Sequence, residues 1–175
     1  DFKCRYCQNW FTSQTLKDSA SQARPEKISS DEIILLAKKA HAKMLTSTYN
    51  EPLITSEWAV DIFKKAKAEG FKTSYVSNGN GSPEVLEYLH PHLDCFKIDL
   101  KSFRDKSYRE LGGVLSKVTG TICNAVRMGF WTEIVTLVVP GFNDDESELK
   151  EMCQFIASVS VDIPWHATAF YGTYK

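Results

Sequence analysis

Two cysteines three positions apart, Cys4 and Cys7, are the residues of this chain whose type and spacing point first to chemistry. Thiolates in a Cys-x-x-Cys element can share a metal ion, hold part of an iron–sulfur cluster or exchange a disulfide. Structural zinc needs two further Cys or His ligands, usually paired, and no second pair follows. His90 and His92 flank Pro91 in a turn-like segment and read as surface residues. A thioredoxin-like dithiol opens a helix directly after a strand, whereas a polar stretch from about Phe11 to Lys27, read as a surface loop, follows here. Zinc and disulfide exchange are therefore minor readings beside an iron–sulfur loop. The remaining cysteines, Cys95, Cys123 and Cys153, lie in apolar periodic segments and are expected to be buried thiols. An odd, widely spaced set of five is not a disulfide framework and suits a reducing, cytoplasmic setting.

Further polar residues recur where strands should end. In Phe96-Lys97-Ile98-Asp99-Leu100-Lys101, apolar and charged residues alternate, so Asp99 and Lys101 share one strand face. The alternative is a solvated edge strand. Asn50, Glu51 and Pro52 follow a short extended segment and also fit a surface turn. Ser77 and Asn78 open Ser-Asn-Gly-Asn-Gly, which fits ordinary turn chemistry equally well. His166 stands on the last apolar segment, where a lone histidine is as often structural as functional.

These residues need elements to position them. A capping box of Ser29 with Glu32 starts a helix over Ser29–Lys43, with Ile33, Leu36, Ala40 and Met44 on its apolar face. An extended segment follows at Thr46–Asn50. Thr55 caps a helix carrying Ala59, Ile62, Phe63 and Ala66, stopped by Gly70. Strands are expected at Lys72–Ser77, Cys95–Lys101, Thr132–Val139 and Trp165–Tyr171. Helices are expected from Ser82-Pro83, over Leu115–Met128 and over Glu146–Ser158. Strand and helix alternate at short spacing, which gives an α/β fold with a parallel sheet and right-handed crossovers. The central strand of an open doubly wound sheet is apolar on both faces. A charged face on Phe96–Lys101 favours an incomplete barrel with a solvated lumen.

The 175 residues fit one domain, 1–175, with no linker-like composition. With 43% hydrophobic residues, 25% charged residues and a formal net charge of -1, the chain has an ordinary globular composition. No like-charge run points to nucleic acid, and no apolar stretch is long enough to cross a bilayer.

Asp1-Phe2-Lys3-Cys4-Arg5-Tyr6-Cys7-Gln8-Asn9-Trp10 resembles the Cys-x3-Cys-x2-Cys cluster loop of radical S-adenosylmethionine enzymes, with the first cysteine expected immediately before Asp1. Its continuation resembles the AmmeMemoRadiSam system radical SAM enzymes, relatives of the pyruvate formate-lyase activating enzymes. Thr48-Tyr49-Asn50-Glu51-Pro52, Lys97–Lys101, Val138–Asp144 and Pro164-Trp165-His166 carry the resemblance onward in order. It implies a partial TIM-type (β/α)6 barrel of parallel strands, truncated at its N-terminus and at its C-terminus. It implies a [4Fe–4S] cluster with Cys4 and Cys7 as ligands and one iron open to S-adenosylmethionine. Asn50 and Glu51 would meet the cofactor's amino group, Ser77 and Asn78 its ribose, and Lys101 its carboxylate, with Asp99 holding a monovalent cation or orienting a partner. Val138 and Tyr6 would pack at adenine. His166 and Lys101 would act at the reacting centre, with His166 also touching the cofactor. Phe170–Lys175 departs from the Phe-His-Pro-x-Tyr-Lys of the family.

The implied reaction is reductive cleavage of S-adenosylmethionine to a 5′-deoxyadenosyl radical that abstracts hydrogen from a substrate. That substrate is a small molecule, or a glycine in a partner protein as in glycyl-radical-enzyme activases. Ferredoxin or flavodoxin is the expected electron donor. Two rivals remain: a degenerate barrel lacking a competent cluster, and a metal-free enzyme using Lys101 and Asp99.

Overall fold

The structure is a computed structural model that describes residues 2–13, 21 and 24–172. The interior of the polar stretch, 14–20 and 22–23, and the terminal residues 173–175 lie outside the described residues. Five parallel strands form one sheet: β1 (Met44–Ser47), β2 (Lys72–Ser77), β3 (Cys95–Asp99), β4 (Trp131–Val138) and β5 (Trp165–Ala169). Their spatial order is their chain order, β1-β2-β3-β4-β5. Each strand pairs with the next, as in Ser74 beside Cys95 and Lys97 beside Glu133. A doubly wound sheet reverses direction at a switch point, and this one does not. It is an open arc of a TIM-type barrel, as the charged face of β3 predicts.

Strand periodicity separates two faces. Tyr75, Phe96, Ile98, Ile134 and Thr136 are buried on the helix side. Against them pack Ala59, Ile62, Phe63 and Ala66 of α3 (Ser56–Ala68) and Val118, Ile122 and Ala125 of α6 (Leu115–Arg127). The concave side carries Thr46, Val76, Lys97, Asp99, Glu133 and Val135, only part of which is apolar. Remaining helices are α1 (Trp10–Ser13), α2 (Ser30–Lys39), α4 (Pro83–Leu89), α5 (Asp105–Leu111) and α7 (Glu146–Val159), with a 3-10 turn at Pro52–Thr55.

Several expectations are corrected. The Ser29–Glu32 capping box forms as expected, with Ser29 N–H donating to Glu32 Oε2 at 2.8 Å. The helix nevertheless stops at Lys39, and its inward stripe runs through Ile34, with Ile33 and Ala37 packed beside it. Leu36 is 55% exposed and Met44 opens β1 instead. The segment Ile33-Ile34-Leu35-Leu36 is apolar on every side, so its phase is set by packing. Thr55 makes no side-chain cap bond, because the Pro52–Thr55 turn runs straight into α3 and Ser56 Oγ donates to Leu53 O at 3.0 Å. A helical turn at Trp10–Ser13 occupies the start of the expected polar loop. Cys123 and Cys153 are exposed and Cys95 is half-buried, since their neighbours Ile122 and Met152 take the inward positions. Among the described residues, no helix is long and apolar enough to cross a membrane.

Candidate active site at the strand ends

The cysteine loop lies across the carboxyl ends of the strands and is held on both flanks. On one side the Phe2 ring is buried against Gly113, where a side-chain methyl would overlap it. Tyr108 meets Phe2 edge-on at 6.1 Å, and Lys3 N–H donates to Leu111 O at 2.7 Å. On the other side Tyr6 packs on Phe142 at 5.2 Å, in the turn between β4 and α7. Cys7 N–H donates to Cys4 O at 3.2 Å and closes the loop into a turn. Both thiols are free, and Cys7 Sγ lies 3.5 Å from Ser13 Oγ.

Beneath the loop, Lys101 Nζ donates to Asp99 Oδ2 at 2.7 Å. Burial alone would pull the Lys101 ammonium toward deprotonation. The Asp99 charge and hydrogen bond outweigh it, with the acidic Cys4 and Tyr6 side chains nearby, and the amine is held protonated. Burial pushes the Cys4 thiol up, opposed by the Lys101 charge. Burial likewise drives the Tyr6 phenol well above its ordinary range. Its hydroxyl has no hydrogen-bond partner among the described residues, an uncommon state for a buried polar atom.

The backbone at Lys101 is clamped twice. Its N–H donates to Tyr108 Oη at 3.0 Å, and its carbonyl accepts from Asn143 Nδ2 at 2.8 Å. Asn143 also donates to Leu137 O at 2.9 Å and accepts from Val139 N–H at 2.7 Å, joining the ends of β3 and β4. In the next two residues, Ser102 Oγ and Phe103 N–H both donate to buried Glu148 of α7 at 2.6 Å.

Glu51 supplies the third wall. Its carboxylate accepts from Ser77 Oγ at 2.6 Å, Asn78 N–H at 2.8 Å and Leu53 N–H at 3.1 Å. Burial raises its pKa against these donors. Tyr49 and Asn50 adopt left-handed backbone, φ 56° and 46°, which is costly for a tyrosine and common beside functional sites.

The structure brings most of the expected residues together. Cys4, Cys7, Asp99 and Lys101 line both of two adjoining cavities, of about 220 and about 150 Å³. Tyr6 lines the larger, and Asn50, Glu51, Ser77 and Asn78 line the smaller. Val138 and His166 line neither. Strand alternation gives the larger cavity Val135 and Leu137 instead of Val138. His166 Nε2 lies 3.2 Å from Glu133 Oε2, deeper along the sheet. Sequence reasoning missed Phe2, Asn143 and Glu148. The apolar Phe2 before the loop and the Asn143-Asp144-Asp145 turn before α7 were the available signals.

Two soft, free thiols over a cationic Lys101, with an unsatisfied Tyr6 hydroxyl in the same cleft, match two of three thiolate ligands of an iron–sulfur cluster and a polar cofactor beside it. Among the described residues no group of three His, Cys, Asp or Glu side chains forms a metal site by itself.

Comparisons with known proteins bear on the family and the fold. Residues 1–156 match the family profile described as the Radical SAM superfamily. An uncharacterized protein of Methanocaldococcus jannaschii is 28% identical over 100% of this chain and 51% of its own length. The pyruvate formate-lyase-activating enzyme of Clostridium pasteurianum is 24% identical over 90% of this chain and 66% of its own. The chain thus spans between about half and two thirds of these relatives. The crystal structure of Streptococcus suis SuiB bound to precursor peptide SuiA superposes with a TM-score of 0.73 at 16% identity, covering 98% of this chain and 37% of that one. That likeness is one of fold.

Proposed function

The chain belongs to the radical SAM superfamily, and we propose that its strand-end cleft holds a [4Fe–4S] cluster and S-adenosylmethionine and uses them to take a hydrogen atom from a substrate. The observation that carries this reading is the convergence of Cys4 and Cys7 with the Asp99–Lys101 pair and the Glu51 shelf in one cleft. Cys4 and Cys7 supply two of the thiolates that hold the cluster. When bound, the cluster and S-adenosylmethionine supply an electron and a 5′-deoxyadenosyl radical.

The chain's own residues bind, orient and exclude water. Lys101, kept cationic by Asp99, offsets thiolate charge and donates to the cofactor carboxylate. Glu51, with one acceptor direction left after its three bonds, takes the cofactor ammonium together with the Asn50 side chain. Ser77 and Asn78, at the end of β2, take the ribose hydroxyls. Tyr6 offers its unpaired hydroxyl, and Val135 and Leu137, in place of Val138, form the apolar wall for adenine. His166 acts from the β5 side on the substrate. A ferredoxin or flavodoxin delivers the electron in a reducing cytoplasm, which suits free surface thiols at Cys123 and Cys153.

The substrate lies on the concave face. A second reading, activation of a partner protein, is favoured by the relative named as a pyruvate formate-lyase-activating enzyme. Anaerobic reconstitution with iron and sulfide, on protein carrying its native upstream residues, tests the cluster assignment. Iron content near four per chain and thiolate-to-iron absorption are expected, both lost in Cys4→Ser and Cys7→Ser. Retention of full iron in both variants would overturn the assignment.

A further inference from the structure

Below the Asp99–Lys101 pair, the concave face encloses another cavity of about 250 Å³, with Thr46, Ser74, Val76, Lys97, Trp131 and Glu133 in its walls. Val76 also lines the upper cleft, so the two spaces meet along β2. Lys97 stands two residues before Asp99 on the same face of β3, roughly 6–7 Å deeper in the lumen.

The charges in this lower space are unevenly satisfied. Lys97 and Glu133 are cross-strand partners in the parallel β3–β4 register, and the Lys97 charge adds to the hydrogen bonds that hold the Glu133 carboxyl below its ordinary range. Glu133 is taken by Trp131 Nε1, which donates at 3.0 Å, and by His166 at 3.2 Å. The Lys97 ammonium makes no ion pair or side-chain hydrogen bond among the described residues. Beside it, Thr46 Oγ1 and Ser74 Oγ lie 2.5 Å apart. One hydroxyl donates to the other, so the second retains a proton to offer elsewhere. The floor therefore presents an ammonium without a hydrogen-bond partner and a spare hydroxyl donor, with the Glu133 carboxylate opposite already holding two donors.

We propose that Lys97 with the Thr46–Ser74 hydroxyl pair is a subsite for the carboxylate of a small organic acid. The single positive charge, partly balanced by the Glu133 carboxylate opposite, matches a monoanion better than a phosphate dianion. The acid's carbon body then runs upward past Val76 and Val135, with exposed Trp131 and Met44 at the lower rim. A carbon roughly 6–7 Å above the carboxylate reaches the level of Asp99. The choice of that carbon as hydrogen donor rests on the function proposed above, whereas carboxylate binding at Lys97 does not.

Titration calorimetry of the full chain with 4-methylbenzoate, 4-methylbenzamide and phenyl phosphate, without S-adenosylmethionine, tests the subsite. One benzoate should bind, Lys97→Met should weaken it by about tenfold or more, and Lys97→Arg should keep most of the affinity. The amide and phenyl phosphate should bind more weakly than the benzoate. Ser74→Ala should weaken benzoate a few-fold, and it retains the charge should Lys97→Met fold poorly. No benzoate binding, equal binding by the amide, tighter binding of phenyl phosphate, or affinity indifferent to both Lys97→Met and Ser74→Ala would each overturn the proposal. Lys97-dependent benzoate binding in a protein that fails to cleave S-adenosylmethionine would leave the subsite standing and remove the radical reading. Cleavage without benzoate binding would do the reverse.

Discussion

Asn143 lies fully buried at the junction of β3, β4 and α7, and its removal should loosen the turn that carries Lys101. In Asn143→Ala, the Val139 N–H and the Lys101 and Leu137 carbonyls each lose a partner that now stands at 2.7, 2.8 and 2.9 Å. A stranded buried polar group costs about 1–3 kcal/mol. A water entering the emptied space recovers part of this. We expect a net loss of about 3–5 kcal/mol in urea unfolding, large for a single substitution. Asn143→Asp keeps the volume and the acceptor for Val139 N–H. Its second oxygen, however, faces two carbonyls that need a donor. Only the protonated acid can donate, and to one of them, so the folded-state pKa is raised. Stability is therefore present at low pH and lost as pH rises through the folded-state value, opposite in sign to an ordinary surface aspartate. Urea midpoints measured across pH for both variants provide the assay. A loss below about 1 kcal/mol for Asn143→Ala, or an Asn143→Asp curve parallel to wild type, would refute the three-bond clamp.

Gly113→Ala should push the Phe2 ring off its seat and release the cysteine loop. Limited proteolysis near Cys7 should quicken, while a control, Gly120→Ala on open helix surface, should not change it. Lys101→Met leaves Asp99 without its ion pair and should cost about 1–3 kcal/mol, a range set by partial exposure. The same variant should weaken S-adenosylmethionine binding by about tenfold or more in equilibrium dialysis. Asp94 binds Lys67 Nζ at 2.8 Å and Thr73 N–H at 2.9 Å, and these bonds hold its pKa down against burial. Its contribution is present above the ordinary carboxylate range and is lost as pH falls through the depressed folded-state value. Wild type should therefore lose more stability than Asp94→Asn on acidification, read as the pH dependence of the melting temperature.

The frame of the fold was legible because strand periodicity is short and turn residues bracket it. Lys72–Ser77 is a strand at the expected bounds, and the charged face of Phe96–Lys101 pointed to the lumen. Cys4, Cys7, Glu51, Ser77, Asn78, Asp99 and Lys101 meet because parallel strands place their ends on one side. Strand parity was not legible at Leu137-Val138-Val139, where three successive apolar residues carry no alternation, so Val138 and its neighbour were not told apart. The phase of α2 was lost in the same way at Ile33–Leu36. The Asn143 and Glu148 clamps span 42 and 46 residues of chain. No local pattern marks such contacts, since an Asn-Asp-Asp turn reads simply as a helix start. The Trp131–Glu133–His166 chain was hidden because it depends on the register between β4 and β5.

The most direct measurement is the yield of 5′-deoxyadenosine and methionine from anaerobically reconstituted protein, with its upstream residues, given S-adenosylmethionine and dithionite. We expect both products in equal amounts, abolished in Cys4→Ser and Cys7→Ser and strongly reduced in Lys101→Met. A fully loaded cluster with S-adenosylmethionine bound, and neither product formed, would contradict the radical chemistry assigned to this cleft.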